Sequence, residues 1–352
     1  MITFIATIIV ISVLVFVHEF GHFAMAKLGG VRVEKFSIGF PPTLFKRKIG
    51  ETIYAIGAIP FGGYVKLAGE NSEKDGSEPK PHDLNAKPIW IRASIMAAGP
   101  FMNIVFALFL FWVVLAFHGV GEVSGEPIVG GVVIDSPADS AGIIALDRMI
   151  SLDGEPIDSW IDMADYVHAR AGETLDFGIV RGDSEFVLAV VPVMHEVSTE
   201  TGLASIGLVG IQPNIEFAAS GILAAVPGSF TMMWEILAMM GDFIGRLFST
   251  GIQKGDIGGP LLIAKMAGMS AQAGWASFLF FMAALSVNLG LMNLLPFPVL
   301  DGGQLAFLAV EAIRRKPLSL KVRLAIQQVG MILILALMVY VTFNDVSLIF
   351  GN

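Results

Sequence analysis

Met1-Ile2-Thr3-Phe4-Ile5-Ala6-Thr7-Ile8-Ile9-Val10-Ile11-Ser12-Val13-Leu14-Val15-Phe16-Val17-His18-Glu19-Phe20-Gly21-His22 is one apolar run that ends in three ionisable side chains. Before His18 its only polar side chains are Thr3, Thr7 and Ser12. A run of that kind spans a bilayer as a helix. On a helix, the spacing His-Glu-x-x-His puts two imidazoles one turn apart on one face, where a metal ion can take both. The glutamate between them has the chemistry of a general base toward water on such a metal. Ionisable groups at membrane depth are costly and point to a function.

The composition agrees with a membrane protein. The chain has 352 residues, 55% hydrophobic and 15% charged, with a mean hydropathy of +0.73. Soluble chains carry about 25% charged residues. There is no cysteine, so thiolates are excluded as ligands and any metal must be held by His, Asp or Glu. The first segment has no basic leader and no small-residue cleavage site, so it is expected to stay as a span.

Spans are expected at Ile2–Met25, Ile91–Phe117, Ala276–Leu295 and Ile326–Phe343. A fifth apolar stretch, Ile222–Phe248, is interrupted by Glu235, Asp242 and Arg246 and suits an interfacial or partly buried helix. Between the spans the charge alternates. Lys27 to Arg92 holds 11 Lys/Arg against 7 Asp/Glu, and Gly302 to Arg323 holds five Lys/Arg against Glu311 alone. Glu122 to Glu216 holds 17 acidic residues against three arginines. The positive-inside rule puts the two basic segments in the cytoplasm and the acidic one outside, with the histidine motif toward the cytoplasmic end of its helix. The net charge of −9 therefore belongs to the exterior segment, and no nucleic-acid partner is expected.

The expected fold is a multi-span α-helical membrane protein of about four transmembrane helices. It carries a small cytoplasmic membrane-associated β-sheet and one exterior α/β domain. Four regions follow: 1–118 with two spans, the β-loop and the metal motif; 121–213, the exterior domain; 214–275, an amphipathic linker helix region; and 276–352, the last two spans. In the first loop, residues 31–36, 52–56 and 63–67 read as short strands, and Glu70 to Lys87 as a mobile polar segment. In the exterior segment, 132–134, 149–154, 175–180 and 186–193 read as strands. A short helix follows Ser136, and an amphipathic one at 159–170 is capped by Asp158 or Ser159.

A catalytic zinc usually keeps three protein ligands. His82, His118, His168 and His195 are candidates for the third. His82 falls in the polar segment, and the other three fall at or beyond the outer membrane face. Asp301 stands out among carboxylates at membrane depth. It follows Asn293-Leu294-Leu295-Pro296-Phe297-Pro298-Val299-Leu300 and precedes Gly302-Gly303. Two prolines break the helix there, and irregular backbone at membrane depth needs a cavity or protein around it.

Four motifs together resemble one family. They are His18-Glu19-Phe20-Gly21-His22, Pro60-Phe61-Gly62-Gly63-Tyr64-Val65, Met96-Ala97-Ala98-Gly99-Pro100-Phe101-Met102-Asn103, and Ser286-Val287-Asn288 through Leu300-Asp301-Gly302-Gly303. In this order they are similar to the site-2 intramembrane zinc metalloproteases of the RseP-type bacterial branch. A PDZ-like Ser136-Pro137-Ala138…Ala141-Gly142 lies between the second and third spans. The resemblance implies that His18, His22 and Asp301 hold Zn²⁺ and that Glu19 is the catalytic base. It implies that Asn288 and Asn293 hold the substrate backbone, and that Gly62 and Gly63 lie beside an extended substrate. Its peptide strand in the PDZ-like domain would be Ile206-Gly207-Leu208-Val209-Gly210. The implied partners are membrane lipid and transmembrane protein substrates, such as anti-sigma factors or remnant signal peptides, already trimmed by an exterior protease. The implied location is the bacterial inner membrane. Two departures stand out. There is room for one PDZ-like domain rather than two, and Leu146-Asp147 stands where such turns often read Gly-Asp.

Blander readings exist for each feature. Asp301 reads also as a helix N-cap, Asn288 and Asn293 as hydrogen bonds between helices, and Gly62-Gly63 as a simple turn. A rival function is a PDZ-tethered membrane scaffold or metal carrier, which has no need of Glu19.

Overall fold

The computed structural model describes residues 1–70, 80–199, 202–249 and 258–350. It divides into two compact units, Met1–Phe117 with Ser220–Asn352, and His118–Ala219. The first unit begins with helix α1 (Ile2–Leu28), strands β1 (Val33–Ile49) and β2 (Thr52–Leu67), and helix α2 (Ile89–Phe117). The second unit then supplies β3 (Val120–Val123), β4 (Val129–Val132), α3 (Pro137–Ala141), β5 (Arg148–Leu152), β6 (Glu155–Pro156), α4 (Trp160–His168), β7 (Leu175–Arg181), β8 (Ser184–Val190), β9 (Val193–Thr199), β10 (Gly202–Leu208), β11 (Ile211–Pro213) and β12 (Ile215–Ala218). The first unit resumes with α5 (Ala225–Ser249), α6 (Pro260–Ala273), α7 (Trp275–Leu294), α8 (Asp301–Arg314) and α9 (Leu320–Phe350).

Among the described residues, four helices are long and apolar enough to cross a membrane: α1, α2, α7 and the Leu320–Ser347 part of α9. Helices suit such segments because they satisfy every backbone group internally. The buried face of α1 recurs every fourth residue, at Ala6, Val10, Leu14, His18 and His22. That stripe packs with Ala107, Leu110 and Phe111 of α2, Ala267 of α6, and Met282, Ala283 and Val287 of α7. The same periodicity that buries the apolar stripe thus carries the two histidines into the bundle.

The first loop differs from three short strands. β1 and β2 are long, bent and doubly paired. Lys35 to Ile38 pairs with Ile53 to Ile56 on one side and with Gly63 to Lys66 on the other. Gly39, at φ +86, bends β1 where a Cβ would stand 2.8 Å from the Gly57 carbonyl oxygen. The glycines and prolines bend these strands rather than end them. As a result, the stretch ending at Leu67 is an edge, with β1 on one side only among the described residues. Residues 71–79 of the expected mobile segment lie outside the described residues.

Helix α6 and the length of α9 were not legible from apolarity alone. Asp345, in α9, is fully buried. Its carboxylate accepts from the backbone N–H groups of Gly259, Leu261 and Leu262 at 2.8, 3.0 and 3.1 Å. Those are the orphan amides at the start of α6, so a charged side chain in an apolar helix closes another helix's end.

The second unit is built around a four-stranded sheet in the order β6-β5-β7-β8, with ribbons β3·β12, β4·β11 and β9·β10. Its core includes Met149, Phe177, Ile179, Met163 and Val209. Ser136 caps α3 and Ser159, rather than Asp158, caps α4. Leu146 keeps the left-handed turn at φ +71 despite its side chain. Asp147 behind it is fully buried and bidentate to Arg181 at 2.7 Å. Burial pushes the Asp147 carboxyl up, but the Arg181 guanidinium and the Ile144 N–H hold it below its ordinary value.

Candidate metal centre

Three donor atoms meet where α1, α2 and the start of α8 adjoin. Asp301 Oδ2 is 3.0 Å from His18 Nε2 and 3.5 Å from His22 Nε2. The two Nε2 atoms are 3.2 Å apart. Tetrahedral zinc with bonds of about 2.0–2.2 Å needs its donors roughly 3.3–3.5 Å from one another. Two nitrogens and one carboxylate oxygen fit zinc in number and type, and their separations of 3.0, 3.2 and 3.5 Å need open only slightly to reach that spacing. Among the described residues this is the one group of three or more His, Asp or Glu that meets so closely. Both histidines are only 9% exposed, inside an apolar bundle.

Backbone packing makes the site. A Cβ on Gly99 of α2 would stand 2.3 Å from His22 Nε2 and 2.9 Å from His18 Cε1. A Cβ on Gly21 would stand 2.2 Å from the Ala98 carbonyl oxygen. The two glycines let α1 and α2 approach at the turn that bears the imidazoles. His22 Nδ1 lies 2.7 Å from the Ile95 carbonyl oxygen. A carbonyl only accepts, so Nδ1 carries the proton and Nε2 offers its lone pair to the centre. Pro100, inside α2, lacks the N–H that Met96 would otherwise receive, which loosens the helix at this level.

Asp301 is the first residue of α8. The N-cap is Leu300, with no side-chain cap bond, so the carboxylate faces the histidines instead of capping its own helix. Gly302 and Gly303 allow the turn: a Cβ on either would stand 2.2 or 2.1 Å from carbonyl oxygens of Leu294 or Phe297. Glu19 is not one of the three donors. Its carboxylate faces the Val65 N–H, and the Cβ position of Gly63 lies 3.5 Å from Glu19 Cγ. The edge of β2 therefore runs beside Glu19, and Ser12 Oγ, lower on α1, donates to the Pro60 carbonyl at 2.8 Å.

Gly62 and Gly63 also have a packing reason. A Cβ on Gly62 would strike the Phe40 ring at 2.3 Å, and one on Gly63 the Ser37 carbonyl oxygen at 2.8 Å. Asn288 is exposed and Asn293 partly buried on α7. Neither side chain hydrogen-bonds another group among the described residues, which leaves the helix-to-helix reading of them without a partner. In the other unit, Ile206, Gly207 and Leu208 pair with His195, Met194 and Val193. The carbonyls of Val209 and Gly210 accept from Ala138 and Val133. At Gly207 the strand abuts α4, where a Cβ would stand 2.6 Å from the Val167 oxygen. Sequence alone assigns no role to Gly99 or Asn103; the signal available was an asparagine inside an apolar helix.

Comparison with known proteins places these features in context. The model of peptidase family M50 matches residues 6–337. A protein of Agrobacterium fabrum whose name assigns it to the zinc metalloproteases is 35% identical over 98% of this chain and 95% of its own length. The regulator of sigma-E protease RseP of Escherichia coli is 32% identical over 97% of each chain, in an alignment of 442 positions against the 352 residues of this chain. The PDZ domain of an SdrC-like protein from Listeria monocytogenes matches 27% of this chain and 93% of its own at 22% identity, with a TM-score of 0.21.

Proposed function

The chain belongs to peptidase family M50 and is a zinc metalloprotease of the site-2 type; from that premise we propose that it is an endopeptidase acting within the membrane on single-span proteins. The observation that carries this reading is the meeting of His18, His22 and Asp301 beside Glu19, in a bundle of helices apolar enough to span a bilayer. His18, His22 and Asp301 would hold zinc, which when bound supplies a Lewis acid for a peptide carbonyl and for water. Glu19 takes the proton from the attacking water and returns it to the leaving amine. A helical peptide bond is hydrogen-bonded and covered, so the substrate must unwind. The edge of β2 at Gly62 and Gly63, which has no strand on its outer side among the described residues, takes up the extended segment by strand addition. Asn288 and Asn293, whose amides have no partner among the described residues, hold its backbone. The substrate class is single-span proteins already cut on the exterior side, of the anti-sigma-factor or remnant-signal-peptide kind.

Metal removal tests this reading. Purified protein stripped with a strong chelator should stop cutting a single-span substrate in detergent or vesicles, and added zinc should restore cleavage. Undiminished cleavage by protein shown to be metal-free would reject the mechanism.

The orientation follows from charge: the β1–β2 loop and the basic segment after α8 lie in the cytoplasm, and the acidic unit lies outside. The chain has no cysteine of its own. Single cysteines at Lys48, Lys316 and Asp158 should therefore react with an impermeant reagent from outside only at Asp158. Labelling of Lys48→Cys from outside would overturn the assignment.

A further inference from the structure

We propose that Asn103 is the positioning residue of His18, its amide oxygen being the acceptor that fixes the ring with Nε2 toward the metal. The proposal rests on the zinc reading above. Asn103 is fully buried in α2, where an amide without partners is costly. Its Nδ2 lies 3.1 Å from His18 Nδ1, while its Oδ1 is buried and has no hydrogen-bond partner among the described residues. Ser286 Oγ of α7 donates to the Asn103 backbone carbonyl at 2.7 Å and so holds α7 to α2 without touching the side-chain amide.

The two histidines differ in what holds them. His22 Nδ1 faces a backbone carbonyl, so its tautomer is set whether or not metal is bound. His18 Nδ1 faces an amide, which can donate or accept. With His18 Nε2 protonated toward Asp301, Nδ1 is bare and receives the amide N–H. With Nε2 ligating, Nδ1 carries the proton and needs an acceptor. A half-turn of the amide exchanges Nδ2 for the unpartnered Oδ1 and supplies it. Asn103 thus serves the empty and the loaded ring alike, which a carbonyl or a lysine could not.

The test measures zinc affinity of the full-length protein by chelator competition. Asn103→Leu keeps the branched shape and the number of heavy atoms but offers no acceptor, and should weaken zinc binding about 10- to 100-fold, the usual cost of losing such a partner. Asn103→Asp restores an acceptor and should recover most of it. Wild-type affinity in Asn103→Leu would overturn the proposal. So would an equal loss in Ser286→Ala, which spares the amide, because packing would then set the affinity. Should the Leu variant not fold, imidazole ¹⁵N spectra of the zinc-loaded wild type decide. They should show His18 protonated at Nδ1 and metallated at Nε2, and metallation through Nδ1 would overturn it. A wild type that holds no zinc removes the reading beneath the proposal. A zinc-loaded wild type beside an equally tight Asn103→Leu removes the proposal alone.

Discussion

Glu19→Gln is expected to keep its zinc and to cut a transmembrane substrate about 10²–10⁴-fold more slowly, the range that general-base assistance contributes. That factor corresponds to roughly 3–5 kcal/mol of barrier. The expectation comes from where the carboxylate stands. Glu19 shares a helix turn with His18 and His22, yet it is absent from the trio of converging donors. It faces the Val65 N–H and the Gly63 backbone on β2 instead. On a helix, a residue one position after His18 points about 100° away from it, toward the side where a substrate laid along β2 would pass. Glutamine keeps the size and polarity but cannot take a proton. Uncut substrate should accumulate with the variant and be recoverable with it. Wild-type cleavage rates in a verified assay would rule out general-base catalysis by Glu19, and loss of zinc would make Glu19 a ligand.

The second large effect is on the metal itself. His18→Ala, His22→Ala and Asp301→Ala each delete one of three donors, so purified protein should lose bound zinc and with it all activity. Gly99→Ala should do the same without removing a ligand, since its methyl would stand 2.3 Å from His22 Nε2. Elemental analysis of the four purified variants decides. Full zinc occupancy in Asp301→Ala would mean that another group completes the site. Full occupancy in Gly99→Ala would mean that α1 and α2 can separate by the width of a methyl group while the imidazoles stay in place.

Much of this protein is determined locally, and local features are what a sequence displays. An unbroken apolar run specifies a helix for a medium with no water to receive its amides. Positions four apart share a face of that helix wherever it packs, so His18 and His22 form a pair before any partner is known. The alternation of basic and acidic loops likewise needs no tertiary contact to be read. Elsewhere the local signal points the wrong way. Gly39, Pro41, Gly57 and Pro60 read as ends of strands, but β1 and β2 continue through bends, because each pairs with both limbs of the other. Leu146 reads as a departure from a glycine turn, yet the bidentate Asp147–Arg181 pair behind it accompanies the same turn.

Only the tertiary structure decides what depends on two distant segments touching. Asp301 reads from its neighbours as a ligand but also as an N-cap; packing of α8 against α2 brings it to the histidines of α1. Asp345 lies beyond the expected span Ile326–Phe343 and has no role in the sequence reading; α6 presents three backbone amides to it. Gly99 and Asn103 acquire meaning from an approach of two helices close enough that a Cβ would not fit. The physical reason is common to all three. Hydrogen bonds and donor spacings act over about 3 Å, while the residues they join are far apart along the chain. Sequence therefore specifies which chemical groups are present and which faces they share, and folding alone specifies which of them meet.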